Sequence, residues 1–310
     1  MNKYRYWIAL EQAEGIGFSS MQKIYDTLSP LNLSISDLFD LTEKEIISEF
    51  NFNSHIVKGI ISAAGILEET EEDYLNIVEA GIKPLMFFEE NYPHHIIDLL
   101  KSSAPPILFC FGNTSLLKKP SGAILGHSEI SSKGENIAYQ SSKILASHDI
   151  TVISGLSKGS GTIVHKSAIE NSGTTIGVLP CGMFTFSMSE KIKEIFNPDN
   201  FLIISPFRTN EPYNEFNAMA RNRLICALSK AVFIVEAPEV SGIFEAVKSA
   251  SKLHIPVFTA EYSEFPESAS GNMKMIKEFN ACPVRGKKEN NIIIPNIDAF
   301  ISKIKFGINT

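Results

Sequence analysis

The sequence is poor in cysteine, in net positive charge and in long apolar runs, and each shortage removes a class of protein. Its four cysteines, Cys110, Cys181, Cys226 and Cys282, stand far apart with no C-x-x-C pair, so no zinc framework is written in them. Cys110 and Cys226 lie in apolar runs, where a buried, reduced thiol is expected. Lysine and arginine total 28 against 35 aspartates and glutamates, a net charge of −7. A uniformly basic nucleic-acid protein is thereby excluded, and any contact with nucleic acid needs a local patch. No apolar run approaches the roughly 18 residues of a membrane span. The opening "MNKYRYWIALEQ" has no apolar leader core, so no membrane contact and a cytoplasmic location are expected. The dinucleotide pattern G-x-G-x-x-G is not met after the first strand of the parallel series, where only Gly126 is in place, and GxxxxGK[ST] is absent. No cofactor, no metal and no catalytic residue is expected.

What is present is an ordinary globular composition. The chain has 310 residues, 44% hydrophobic and 20% charged, enough for a sizeable core and about two domains. Residues 1–80 read as helices. Tyr6, Trp7, Leu10 and Ala13 share one face, and Met21, Ile24, Tyr25 and Leu28 another, with the turn "EGIGFSS" between. Ser36 and Thr42 are candidate caps for the stretch that follows. Residues 81–113 are punctuated by Pro84, Pro93, Pro105 and Pro106, and "ILFCF" is a short buried strand. From 122 the pattern alternates. "GAILG", "TVISG", "TTIGVLP", "FLIIS", "AVFIVEA" and "IPVFTA" are strands, and helices are expected over 134–147, 161–171, 188–196, 214–228 and 241–253. Such alternation means βαβ units, a parallel sheet, and ligands at the carboxyl ends of the strands. "IPVFTA" would be an exposed edge, so either a partner subunit or residues 261–310 should cover it. The last stretch reads as a short strand and a terminal helix.

The candidate site is built from three βα loops, "GAILGHSEISSKGE", "SGLSKGSG" and "EAPEVSG", each entering a helix whose first amides favour an anion. Their candidate phosphate ligands are Gly126, His127 and Ser128, then Gly155, Ser157, Lys158, Gly159 and Ser160, then Ser241 and Gly242. Arg221, Asn222 and Arg223 open a helix toward the same edge, and the planar arginine fork suits phosphate. Lys158, Arg221 and Arg223 are expected to converge there. His165, with no partnered nucleophile or base, reads as a packed structural residue. The hairpin "EGIG" could present amides to a DNA phosphate or simply turn between helices.

Together these stretches resemble the DNA-processing protein A family (DprA/Smf) over about residues 5–260. "EGIG" is similar to the family's helix-hairpin-helix-like segment. "NYPHHIIDLLKSSAPPILFCFGN" is similar to Y-P-x-x-L…P-P-x-L-F…G-N. "ISGLSKGSGTIVH" resembles S-G-x-A-x-G-I-D-x-x-A-H, and "FNAMARNRLICALSKAVFIVEA" resembles F-x-x-R-N-R-x-I-x-G-L-S…V-V-E-A. The chain departs from the pattern at Leu125-Gly126-His127-Ser128, where the family has V-G-S-R. It departs also at Gly161 for the aspartate of G-I-D and at Pro206 for the glutamate of I-S-E.

The resemblance implies an α/β fold: an extended Rossmann-like, doubly wound, mostly parallel sheet with a small N-terminal helical (helix-hairpin-helix or SAM-like) domain. The expected division is 1–82 helical, 83–285 Rossmann, and 286–310 a short C-terminal extension. The resemblance further implies a non-enzymatic protein that binds single-stranded DNA, forms a homodimer and hands DNA to the RecA recombinase. Two alternatives stand beside it. One is a defence or toxin–antitoxin component that senses nucleic acid or a nucleotide-type ligand, or restrains a toxin partner. The other is a nucleotide phosphoribohydrolase, for which Glu245 is out of register.

Overall fold

A computed structural model describes residues 3–289 and 292–307; the ends of the stretches 1–82 and 286–310 expected from sequence, with residues 290 and 291, lie outside it. Helices fill the first part: α1 (Tyr4–Gln12), α2 (Phe18–Leu28), α3 (Ile35–Phe39), α4 (Glu43–Glu49), α5 (Ser54–Gly65) and α6 (Leu67–Glu79). Capping boxes start two of them, Ser34 with Asp37 and Thr42 with Glu45, so the cap falls at Ser34 rather than Ser36. Trp7 packs against Phe87 and Phe88, and one continuous apolar cluster runs from these helices into the sheet.

The sheet holds β1 (Lys83–Met86), β2 (Ile107–Gly112), β3 (Ser121–Leu125), β4 (Thr151–Gly155), β5 (Thr175–Val178), β6 (Phe201–Ser205), β7 (Val232–Ile234), β8 (Val257–Ala260) and β9 (Cys282–Val284). Its spatial order is β1-β2-β6-β5-β4-β3-β7-β8-β9. From β6 to β9 every pairing is parallel, while β1 and β2 add an antiparallel margin. The connecting helices are α7 (His95–Leu100), α8 (Ser132–Ser147), α9 (Ser160–Glu170), α10 (Glu190–Lys193), α11 (Glu215–Leu228) and α12 (Gly242–Lys252). Chain order reverses between β3 and β7, which places the switch-point crevice at their carboxyl ends.

Both faces of the sheet are covered, as a parallel sheet requires. Successive side chains point to opposite faces. Thus Ala123, Ile153, Val232 and Ile234 join the cluster with Ile225 of α11 and Val247 of α12. Ile124, Val152 and Phe233 join the other, with Ala138 of α8 and Val164 of α9.

The last stretch carries more structure than its sequence suggests: α13 (Ser270–Glu278), β9, the hairpin β10 (Gly286–Glu289) with β11 (Ile292–Pro295), and α14 (Asp298–Phe306). β9 pairs with β8, so a segment of 261–310 covers that edge. Pro283 is tolerated because β9 is itself an edge strand. Phe300 of α14 is fully buried, its ring 6.0 Å from Phe233 and 5.3 Å from Phe258. Among the described residues no helix is long and apolar enough to cross a membrane.

Candidate functional site

The loops after β3 and β4 lie against each other. Gly159 has φ +72°, and a Cβ there would collide with the Ser128 carbonyl. A side chain at this position is excluded twice, by conformation and by space. Ser160 is buried and its Oγ donates to the Gly126 carbonyl at 2.7 Å, so it fastens the loops together. Ser157 and Lys158 stay exposed at the tip, and α9 starts behind them with no side-chain cap. His127 is half-buried, its amide donating to the Glu236 carbonyl at 2.9 Å, and Ser128 is exposed.

The arginine pair sits differently from expectation. α11 begins at Glu215, capped by Asn214, so Arg221, Asn222 and Arg223 lie in its middle rather than opening it. Residues two apart on a helix diverge by about 200°, and here they separate. Arg221 turns inward: its guanidinium covers the α-carbon of Gly155, where a Cβ would collide with it, and Nη1 donates to the Val178 carbonyl at 3.2 Å. Its Nε is buried without a partner, and burial lowers its pKa to about 10. Arg223 is exposed on the other side. The expected convergence therefore unites Arg221 with the Gly155–Ser160 loop that carries Lys158, and leaves Arg223 out. Asn222 is buried, and its amide donates to the Gly242 carbonyl at 3.0 Å, tying α11 to α12. Ser241 is used as a cap: Oγ accepts from the Phe244 amide at 3.2 Å and donates to the Pro238 carbonyl at 2.8 Å. Glu245 pairs with Lys248 at 2.6 Å.

Sequence reading missed Glu236. Its side chain is fully buried beside the switch point, just beyond β7. The carboxylate accepts from the Ser131 amide (2.8 Å) and Oγ (2.6 Å), from the Tyr262 hydroxyl (2.7 Å) and from Ser268 Oγ (2.7 Å). Burial, then the bond to Glu236, pushes the Tyr262 phenol up. The amide at the start of α8, where a dinucleotide fold would present donors to pyrophosphate, is already engaged by the chain's own carboxylate. A lone charge ending the apolar run "AVFIVEA" was the available signal, since a buried carboxylate needs donors.

His165 is fully buried and stacks on Phe201 at 5.2 Å. Thr175 Oγ1 gives its proton to the Val152 carbonyl (2.9 Å), so it accepts from His165 Nδ1–H (2.7 Å). Burial pulls the pKa down from 6.5 to about 4. The fold therefore holds the ring neutral while the unfolded chain binds a proton near pH 6.5. Stability is full above that pH and falls as pH drops from about 6.5 toward 4. Between pH 7 and pH 5 the loss should be about 2 kcal/mol. His165→Gln should lower stability at pH 7 yet flatten this dependence in urea melts. A variant with an undiminished slope would show that another group carries it.

A sequence model of the family described as DNA recombination-mediator protein A matches residues 83–294. The DNA processing protein DprA of Streptococcus pneumoniae is 29% identical over 194 residues, covering 61% of this chain and 67% of that protein. The crystal structure of DprA from Streptococcus pneumoniae aligns with TM-score 0.60 at 25% identity, over 80% of this chain and 92% of that one. DNA processing protein A from Helicobacter pylori, whose structure is described for its single-stranded DNA binding mode, aligns with TM-score 0.56 at 25% identity, over 65% of this chain and 90% of that one.

Proposed function

The chain belongs to the DNA recombination-mediator protein A family, and from that premise we propose that it binds single-stranded DNA at the carboxyl edge of its parallel strands, in the service of DNA processing and recombination. The observation that carries this reading is Arg221. Its guanidinium is held against Gly155 with one carbonyl partner and a bare Nε, and no carboxylate among the described residues pairs with it. A partly desolvated cation without a counter-ion is costly. A phosphodiester oxygen would supply the missing charge, with Lys158 of the neighbouring loop as a second, mobile cation. The single-strand binding of the Helicobacter pylori relative points the same way. The site reads as a binding site rather than a catalytic one: His165 is buried and engaged with Thr175, and Glu245 is taken by Lys248. A homodimer, a recombinase as recipient of the DNA, and a cytoplasmic location belong to the same reading.

Titration with oligo(dT), duplex of equal length and mononucleotides across a salt series tests it. The single strand should bind tightest. Lys158→Ala should lower the slope of log K against log salt by about 0.7, one phosphate contact. A protein that prefers duplex or mononucleotide, or a Lys158→Ala slope equal to wild type, would overturn the proposal.

A further inference from the structure

The outward face of α11 carries a feature that the loop edge does not use. A cavity of about 440 Å³ lies between α11, α12 and the segment before β2, and Phe216, Arg223, Glu245, Lys248 and Lys252 are in its lining. Phe216 is 73% exposed, a large cost in apolar surface for a phenylalanine with no cover. Glu245 and Lys248 neutralise each other at 2.6 Å. Arg223 and Lys252 are exposed, and neither is ion-paired with any described residue. The lining thus combines one open aromatic ring with two uncompensated cations. The cavity also reaches Pro206, the residue after β6, so it opens on the same edge of the sheet as the Lys158 loop.

The geometry points to a second contact for the same single strand: an unpaired base stacked on Phe216, with its flanking phosphates on Arg223 and Lys252. This rests on the single-strand reading above and extends it across α11. A flat base covers an exposed ring, and stacking tolerates any base. A duplex keeps its bases inside the helix and offers the ring nothing. An acidic peptide would satisfy the cations and leave the ring without a flat partner.

The 310-residue chain is titrated with oligo(dT) and with an abasic oligonucleotide of the same length. All variants lie at exposed positions. Phe216→Ala should weaken oligo(dT) binding about tenfold or more and leave abasic binding unchanged. Phe216→Trp should keep the affinity, and its indole should be quenched by oligo(dT) above the steady signal of Trp7, which is buried. Arg223→Ala combined with Lys252→Ala should lower the salt slope by about 1.4. If the wild type binds and Lys158→Ala weakens it, yet the α11 variants match wild type, this inference is overturned and the edge reading stands. If the wild type binds no oligo(dT), both fall. If Phe216→Ala changes the sedimenting mass and not the DNA affinity, the face is a contact between copies and the inference is overturned.

Discussion

Arg221→Met should make the protein more stable and a poorer binder of single-stranded DNA at once. Arg221 is half-buried, with its pKa lowered to about 10, and its one hydrogen bond goes to a neutral carbonyl. Replacing a half-buried, unpaired charge by an apolar side chain of similar length relieves its desolvation, and the gain should be on the order of 1 kcal/mol. In a chain of this size that is a rise of a few degrees in melting temperature. The same change deletes the proposed charge-assisted bond to phosphate, worth about 1.5–3 kcal/mol, so affinity for oligo(dT) should fall roughly ten- to hundredfold. The opposed signs make the experiment decisive. A variant that melts below wild type would mean that the guanidinium has a partner that stabilises it. A variant that binds as tightly as wild type would remove Arg221 from the site.

Glu236→Ala should be the most damaging single substitution at the carboxyl edge. It strands the Ser131 amide and the hydroxyls of Ser131, Tyr262 and Ser268, all of which now donate to one carboxylate. Each buried donor left unsatisfied costs about 1–3 kcal/mol, so the loss should amount to several kcal/mol in all. Glu236→Gln should cost less, because hydroxyl donors can rotate and an amide keeps one acceptor. Denaturant melts give the magnitudes. Amide exchange gives the place: Ser131 anchors the start of α8, so faster exchange should appear there and in the preceding loop. Exchange that rises uniformly over the molecule would show that Glu236 supports the fold at large and not this loop.

The sequence presents Arg221 and Glu236 very differently. Arg221 stands in "FNAMARNRLICALS", a stretch whose likeness to the family singles it out. What the stretch conceals is direction. The spacing of Arg221 and Arg223 already separates them by about 200°, but which side meets the β4 loop depends on how α11 lies on the sheet. Glu236 shows the converse. Nothing within "AVFIVEA" names its donors, which come from residues 131, 262 and 268.

Local order was legible from β3 to β8. Runs such as "TVISG" and "FLIIS" are short, β-branched and bounded by turn residues, so they reveal strands without knowledge of their neighbours. Their alternation with helices determined a doubly wound parallel sheet, and with it the carboxyl edge at which to look for a ligand. Three things were decided only in three dimensions. The antiparallel margin of β1 and β2 comes from pairing, which composition does not encode. β9 is three residues long and contains Pro283, too little for a periodic signal, yet it completes a ladder that β8 would otherwise leave open. The division of the candidate site between Arg221 inside and Arg223 outside follows from packing α11 against Gly155 and α12. Periodicity is a property of neighbours along the chain, and these features are contacts between residues far apart in it. The sequence therefore determined the elements and the edge at which to look, and tertiary packing decided which side chains reach that edge.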